Sequence, residues 1–281
     1  MSRDDRVLAT TRALSAFLAP FLLVAFVLLY GFPADTNRLW AWPIQSHMTS
    51  MLLASAYLGG CYFFLRVLLV ERRWAAVRAG LVSVALFATL LGVATVLHWD
   101  KFSHGKLAFW LWAGLYLTAP FVVVAVWLLN QRYAGSPAPD AARLGRVQRW
   151  VVAGVGALAV LTGVALFVAP ARAISVWPWS LTPLTGRVVG ATFCLGAAGL
   201  GVLVDDRWEA VRLMRGVQLV MFALILVAGV RARHEFFADR PLTWVMGVGF
   251  VALLALSAAS AVSDAAHRRT TGRRSMRAQP R

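Results

Sequence analysis

Acidic residues are scarce in this sequence, and their scarcity limits the kinds of protein that it can encode. Asp and Glu together number 12 among 281 residues, and none lies inside the long apolar runs of the chain. Ion-coupled transporters usually carry an ionisable side chain within a span, so this absence disfavours that class. All five histidines lie at the ends of the runs or in loops, which disfavours haem held between helices. No catalytic triad, nucleotide-binding loop or carboxylate pair can be assembled, so no catalytic residue and no cofactor is predicted.

Cysteine is also rare, and charged residues together are fewer than in a soluble protein. Cys61 and Cys194 are the only cysteines and each lies within an apolar run. A thiol there behaves as a small apolar side chain, so neither residue indicates a redox compartment. Charged residues make up 14% of the chain, whereas a soluble domain carries about 25%. Hydrophobic residues make up 60%, and the mean hydropathy is +0.69, which excludes an ordinary soluble domain.

Eight apolar runs are long enough to cross a bilayer, which takes roughly 17–25 residues in a helix. Arg66, Arg187 and Arg215 are the only charged residues inside them, and each lies near the end of its run. Side chains of that length can reach the lipid headgroups from there. The sequence therefore predicts an all-α integral membrane protein with eight transmembrane helices. The runs are 14–30, 49–70, 81–97, 107–129, 151–169, 184–204, 213–230 and 242–262.

The formal net charge of +16 is explained by membrane topology. If the N-terminus is cytoplasmic, 20 of the 28 Lys and Arg residues fall on the cytoplasmic side. Such an excess is the orientation rule for membrane proteins, and it also favours contact with anionic headgroups. We therefore predict a bacterial plasma-membrane protein with both termini in the cytoplasm, and no nucleic-acid partner. The first run lacks a small-residue cleavage site and is interpreted as a span rather than as a cleaved signal.

The two halves of the chain repeat one another. The string Arg-Trp-Ala-Ala-Val-Arg at 73–78 recurs as Arg-Trp-Glu-Ala-Val-Arg at 207–212, and further matches keep the same order along the chain. Because each copy holds four spans, both copies enter the membrane in the same direction, which predicts parallel repeats related by a pseudo-twofold axis along the membrane normal. The further matches join Pro33, Trp40, Trp42, Thr49, Gly60, Phe87, Asp100, Phe102 and Gly114 to Pro170, Trp177, Trp179, Thr185, Gly196, Phe222, Glu235, Phe237 and Gly249.

The repeat predicts five consecutive parts of the chain. A cytoplasmic N-terminus (1–13) precedes the first four-helix unit (14–129). A cytoplasmic linker (130–150), marked by Gly and Pro, leads to the second four-helix unit (151–262). A basic tail (263–281) follows and is predicted to be cytoplasmic and disordered. The oligomeric state is left open by the sequence.

The most distinctive motif is Trp-Pro-Trp-Ser-Leu-Thr-Pro-Leu-Thr at 177–185. Thr182 is a good N-cap and Pro183 suits the first helical position, while Ser46 takes the capping place in the first copy. One interpretation is that the motif only starts the second helix of the unit and seats Trp at the outer interface. The alternative is an outer ligand site, because a helix N-terminus favours anions and Arg187 lies one turn further on.

The motif at 177–185 resembles one in uncharacterised multi-pass membrane proteins of high-GC bacteria. The Ala, Val and Arg bias of the chain is in keeping with that resemblance, since 26 of its 28 basic residues are Arg. The resemblance implies a multi-pass membrane protein and carries no activity with it. The first copy departs from the motif at His47 and Ser50.

A second loop completes the predicted outer site. The loops that follow the first and third spans of a unit should emerge side by side, so His234 and Glu235 should approach Thr182, where Glu235 can pair with Arg187. The other outer loop carries histidines and an Asp at 98–104, but their spacing matches no known ligand pattern, so no metal site is predicted. The candidate outer-face ligand site comprises Trp177, Trp179, Thr182, Arg187, His234 and Glu235.

The interior of the spans offers a second, midplane candidate. Pro120 lies in the middle of the fourth span, close to Thr118, and a proline there frees a backbone carbonyl, as happens at transporter sites. We expect a protein that binds or transports a small, weakly polar or lipid-like molecule between the two units. A membrane enzyme or assembly factor acting at the outer face, and a scaffold without a ligand, are the alternatives.

Overall fold

The computed structural model describes residues 4–135 and 142–277, with side chains to residue 259, and these residues form helices and turns without a β-strand. Eight helices in this part of the chain are long and apolar enough to cross a membrane, so the prediction of an all-helical, multi-pass membrane protein is confirmed. They contain α1 (Ala9–Phe26), α2 (His47–Leu69), α3 (Arg78–Leu97), α4 (Leu107–Gln131), α5 (Arg146–Val168), α6 (Pro183–Cys194), α7 (Trp208–Arg231) and α8 (Pro241–Arg277). The sixth span runs on beyond α6 to Leu203, and the eighth span covers Pro241–Ala259 of α8.

Several spans are extended or interrupted at their ends. A π-helical turn, Val27–Gly31, continues α1, and α6 gives way after Cys194 to a short helix, Ala197–Leu200, and a 3-10 turn, Gly201–Leu203. Two further short helices, Thr36–Leu39 and Pro170–Val176, follow the first and fifth spans. Single 3-10 turns occupy Pro33–Asp35, Trp74–Ala76, Trp99–Lys101 and Arg233–Glu235.

Helix α8 continues past the eighth span to Arg277. The rest of the predicted tail lies outside the described residues.

Consecutive spans pack as hairpins within each half of the chain, and other helix pairs join the two halves. In the first half α1 packs on α2 and α3 on α4, and in the second half α5 packs on α6 and α7 on α8. The contact between the halves is made by α2 with α7 and by α3 with α6, while α2 and α3 of the same half scarcely touch. Helices α2 and α3 therefore pack against helices of the second half and not against each other.

Two faces of the molecule follow from the order of the turns. We call Trp-rich the face formed by the turns after α1, α3, α5 and α7, which carries Trp40, Trp42, Trp99, Trp177 and Trp179. The opposite, Arg-rich face holds the segments before α1 and α5 and the turns after α2 and α6. On it, residues 5–7 hydrogen-bond to 72–74, and residues 142–144 to 206–208, through backbone bonds of 2.8–2.9 Å.

Candidate functional site

The helix start predicted at the Trp-Pro-Trp motif is confirmed. Thr182 is the N-cap of α6 and Pro183 its first residue. The Thr182 hydroxyl oxygen accepts from the backbone N–H of Thr185 at 3.2 Å, and the Thr182 backbone N–H donates to the Thr185 hydroxyl at 2.8 Å. This reciprocal capping box satisfies the amides of Thr182 and Thr185 without any other part of the chain, and Pro183 has no amide hydrogen.

The start of α2 is capped differently. Ser46 caps the helix as predicted, but the carboxylate of Glu235 covers the same turn. Its oxygens accept from the Ser46 hydroxyl at 2.7 Å and from the backbone amides of His47 at 2.8 Å and Met48 at 3.1 Å. Glu235 reaches this position because α7 packs against α2, which brings the turn after α7 over the start of α2. A carboxylate at a helix N-terminus is favoured by the free amides and by the helix dipole.

The predicted pairing of Glu235 with Arg187 is therefore wrong, although the two loops do meet. The Phe237 amide donates to the Pro178 carbonyl oxygen at 2.8 Å, so the turn after α7 lies beside the Trp-Pro-Trp stretch. The carboxylate nevertheless turns to the other half of the chain, because the bare amides of α2 lie there, whereas α6 caps itself. His234, next to it, is exposed.

Arg187 instead contacts a histidine of the first half. Its Nη1 lies 2.6 Å from Nε2 of His98, which follows the last residue of α3. Burial, and after it the positive charges of Arg187 and Lys101, outweigh the effect of Asp100 and lower the pKa of His98. A neutral His98 with an unprotonated Nε2 can accept from the guanidinium. Within the described residues no carboxylate pairs with Arg187, and its Nε is buried without a hydrogen-bond partner.

The two tryptophans of the motif belong to the packed interior. Trp177 and Trp179 are 2% and 1% exposed, and their rings contact each other with centroids 5.2 Å apart. Nε1 of Trp179 donates to the Thr49 hydroxyl at 2.8 Å, which ties the second half to α2. Neither ring lines the cavity described next, so these two residues support the structural interpretation of the motif.

A cavity of about 470 Å³ opens on the Trp-rich face between the starts of α2 and α6. Its apolar walls are tryptophan, proline and leucine side chains, and its polar groups include an imidazole, an ammonium and several hydroxyls. Thr182 of the predicted site lines it, and His98 links it to Arg187. The lining residues are Trp42, Pro43, Gln45, Ser46, His98, Lys101, Ser180, Leu181, Thr182, Pro183, Leu184 and Thr185.

Charged residues that sequence reasoning missed join the halves on the Arg-rich face. Arg212 donates to Glu71 at 2.8 Å, and Arg78 donates to Asp205 at 2.5 Å. Burial raises the pKa of the Asp205 carboxyl, but the hydrogen bonds and positive charges of Arg207 and Arg78 outweigh it and lower that pKa overall. Both arginines belong to the repeated strings at 73–78 and 207–212. Both acids lie two residues before those strings and so outside the matched positions.

The Arg-rich face also carries a largely apolar cavity of about 450 Å³. It lies where α3, α4 and α7 meet the interrupted end of the sixth span, and the Arg78–Asp205 pair borders it. Apart from this ion pair its polar lining consists of Gln131 and Gln218. None of its lining residues belongs to the candidate sites predicted from the sequence.

The midplane candidates lie elsewhere. Helix α4 passes through Pro120 without a break, and Thr118 is exposed, with its hydroxyl donating to the Gly114 carbonyl oxygen at 2.6 Å. Pro120 has no N–H for the carbonyl of Tyr116, and Gly92 of α3 packs against that oxygen: a Cβ at Gly92 would lie only 2.6 Å from it. The proline therefore accompanies close helix packing, and neither Thr118 nor Pro120 lines either cavity.

Comparison with known protein families, with curated proteins and with solved structures finds no match to this chain.

Proposed function

We propose that the chain is a tandem duplication of a four-helix unit whose copies are related by a pseudo-twofold axis along the membrane normal. Reciprocal contacts support this. Arg78 and Glu71 of the first half correspond to Arg212 and Asp205 of the second half, 134 residues later. The Arg78–Asp205 and Arg212–Glu71 pairs therefore join the same two positions in opposite directions. Such an exchange, in which the same patch contacts itself, characterises a twofold contact.

Helix packing and backbone pairing support the same symmetry. The contact of α2 with α7 has its counterpart in that of α6 with α3. The bonds of residues 5–7 with 72–74 match those of 142–144 with 206–208. We further propose that the Arg-rich face is cytoplasmic in a bacterial plasma membrane, which the excess of Lys and Arg on that side supports.

The function that we propose is binding of an acidic, lipid-like molecule in the cavity of the Trp-rich face, with its anionic head near Arg187. The observation that carries this proposal is the half-buried guanidinium of Arg187, whose partner is the imidazole of His98 and not a carboxylate. Burying a charge is unfavourable unless an opposite charge or strong hydrogen bonds compensate it. An anionic group in the adjoining cavity would supply that compensation.

The difference between the two helix starts supports an anion at this place. At the start of α2 the carboxylate of Glu235 fills the position over the free amides. The equivalent residue of the first half, Asp100, pairs instead with its neighbour Lys101 at 2.8 Å and is exposed. No carboxylate of the described chain therefore covers the start of α6, and Lys101 adds a positive charge to the cavity wall.

The apolar walls favour an amphipathic ligand over a small inorganic ion. Trp42, Leu181 and Leu184 line the cavity and suit the glycerol and upper acyl region of a lipid. Deeper between the halves the helices are closely packed: a Cβ at Gly59 of α2 would lie 2.6 Å from the Met221 side chain of α7. This packing favours a binding role at the face over an open path across the membrane.

The proposal is tested by lipid binding to the purified full chain in detergent. We expect phosphatidylglycerol to raise the unfolding temperature, and phosphatidylcholine to raise it far less. Loss of a charged hydrogen bond of about 1.5–3 kcal/mol predicts that Arg187→Gln binds phosphatidylglycerol roughly ten- to hundredfold more weakly. Arg172→Gln, which removes an exposed arginine of the same face, is the matched control and should bind as the parent chain does.

Two results would contradict the whole proposal, and a third would contradict its lipid-like part. Equal stabilisation by the anionic and the zwitterionic lipid would mean that the head charge is not recognised. Equal weakening in Arg187→Gln and Arg172→Gln would mean that only the general positive charge of the face attracts lipid. If glycerol phosphate stabilises the protein as well as the lipid does, the site takes a soluble anion, and the lipid-like part of the proposal is wrong.

A further inference from the structure

A cluster of metal-ligating side chains lies on the Trp-rich face, apart from the cavity. His47 is the first residue of α2, and His234 and Glu235 belong to the 3-10 turn after α7. One ligand atom from each of the three residues lies within 4.8 Å of the other two. Nδ1 of His47 is 3.0 Å from Oε1 of Glu235, and the two imidazole rings have centroids 6.3 Å apart.

We propose that His47, His234 and Glu235 bind a transition-metal ion of the zinc type. Two imidazoles and one carboxylate are a ligand set that Zn²⁺ accepts, with a fourth position left open to water or to another ligand. Hard ions such as Mg²⁺ and Ca²⁺ prefer oxygen ligands, so the two imidazoles select against them.

Small side-chain movements are enough to close the site. With bonds of about 2.0–2.1 Å, neighbouring ligand atoms of a tetrahedral zinc ion lie roughly 3.3 Å apart, so no pair here has to approach by more than about 1.5 Å. The side chain of His47 is 38% exposed and His234 is exposed, so both rings are free to turn. The backbone turns that carry them need not move.

The surroundings of Glu235 suit an anchoring ligand. Its oxygens already accept from the Ser46 hydroxyl and from two backbone amides of α2, which fix the orientation of the carboxylate. Each carboxylate oxygen has two lone pairs, so Oε1 can accept from the His47 amide and still bind an ion. Outer hydrogen bonds of this kind orient metal ligands and are part of a metal site.

The site depends on the crossing of the halves. His234 and Glu235 lie 187 and 188 positions after His47, and they meet it only because α7 packs on α2. Bound metal would therefore fasten the turn after α7 to the start of α2. The inference is independent of lipid binding, because none of the three residues lines the cavity.

The test is calorimetric titration of the full chain with Zn²⁺ in detergent at neutral pH, after removal of any histidine tag and treatment with a chelator. We expect one Zn²⁺ per chain, a rise in unfolding temperature on binding, and no comparable binding of Mg²⁺. His234→Gln and His47→Gln should each weaken Zn²⁺ binding at least tenfold. His104→Gln, which changes an exposed histidine of the same face, should leave it unchanged.

His234→Gln is the decisive variant, because its side chain is exposed, so we expect the substitution to leave the metal-free fold intact. If its metal-free unfolding temperature equals that of the parent chain, a loss of Zn²⁺ binding reports on the site and not on folding. Binding that persists in both His47→Gln and His234→Gln, or that falls equally in His104→Gln, overturns the proposal in favour of scattered surface coordination.

Discussion

The Glu71 carboxylate on the Arg-rich face offers the sharpest test of how the halves are joined. Glu71 is 3% exposed and accepts from Arg66 of its own half at 2.7 Å and from Arg212 of the other half at 2.8 Å. Glu71→Gln keeps the size of the side chain and removes its charge. Two arginines would then face each other with no anion between them.

The expected loss of stability follows from the burial of the three groups. Breaking a buried ion pair costs roughly 3–5 kcal/mol, whereas breaking an exposed pair costs about 0–1 kcal/mol. The carboxylate is buried, but the side chains of Arg66 and Arg212 are 31% and 37% exposed, so water still solvates part of each guanidinium. We therefore expect Glu71→Gln to lower the free energy of unfolding by about 2–3 kcal/mol, between those limits.

The assay is a double-mutant cycle read by equilibrium unfolding in mixed micelles, with tryptophan fluorescence as the signal. Glu71→Gln, Arg212→Gln and the double variant should show a coupling of about 1–2 kcal/mol, because the residues share one contact. A parallel cycle on Asp205 and Arg78 should give a similar value if the halves are equivalent. The exposed pair of Asp100 and Lys101 is the control, with a coupling near zero. Additive effects in both buried cycles would refute the view that these pairs hold the halves together.

Three further predictions concern topology, packing and protonation. Reporter fusions on the Trp-rich face should read as periplasmic and those on the opposite side as cytoplasmic, and a cytoplasmic signal at the turn after α3 would contradict the eight-span topology. Gly92→Ala should lower the unfolding temperature, because its Cβ would meet a backbone oxygen 2.6 Å away, whereas Gly114→Ala, with open space around it, should not. The lowered pKa of His98 means that the folded protein binds fewer protons there, so stability should rise with pH up to about 6.5, and His98→Gln should flatten that rise. The fusion points are Asp35, Lys101, Arg172 and Asp239 on the first side and Gly135 and Gly272 on the second.

The sequence was sufficient to predict the eight spans and the starts of two of the helices. Runs of apolar residues must be helical in a bilayer, because every backbone polar group there has to be satisfied within the segment. The starts of α2 and α6 were found because Ser46 and Thr182 are good caps and Pro183 suits the first turn. These are local properties, and local physics decides them.

The partners of the charged residues could not be found in the same way. Glu235 was expected to pair within its own half, because the loops after the first and third spans of a unit should emerge side by side. Its carboxylate instead caps α2 of the other half. The choice between these arrangements depends on which helices fit against each other in three dimensions. In apolar helices of similar composition that fit leaves little trace in the pattern of residues. Glu71 and Asp205 gave a usable signal, since each precedes the repeated motif by two residues and is acidic in a chain with few acids.

The two helix starts on the Trp-rich face, which the proposed duplication makes equivalent, differ in their chemistry. At α2 the chain places a carboxylate on the free amides, and at α6 Thr182 and Thr185 cap each other. Asp100 pairs with its neighbour Lys101, and His98 borders the cavity at the start of α6. At the start of α2, in contrast, the carboxylate of Glu235 lies close to the imidazoles of His47 and His234. The double variant Asp100→Glu, Glu235→Gln removes the carboxylate at the start of α2 and lengthens the acid of the turn after α3. It should therefore weaken Zn²⁺ binding at α2, and it should weaken lipid binding at α6 if the longer acid reaches Arg187. Unchanged binding of both ligands would argue against this difference between the two helix starts.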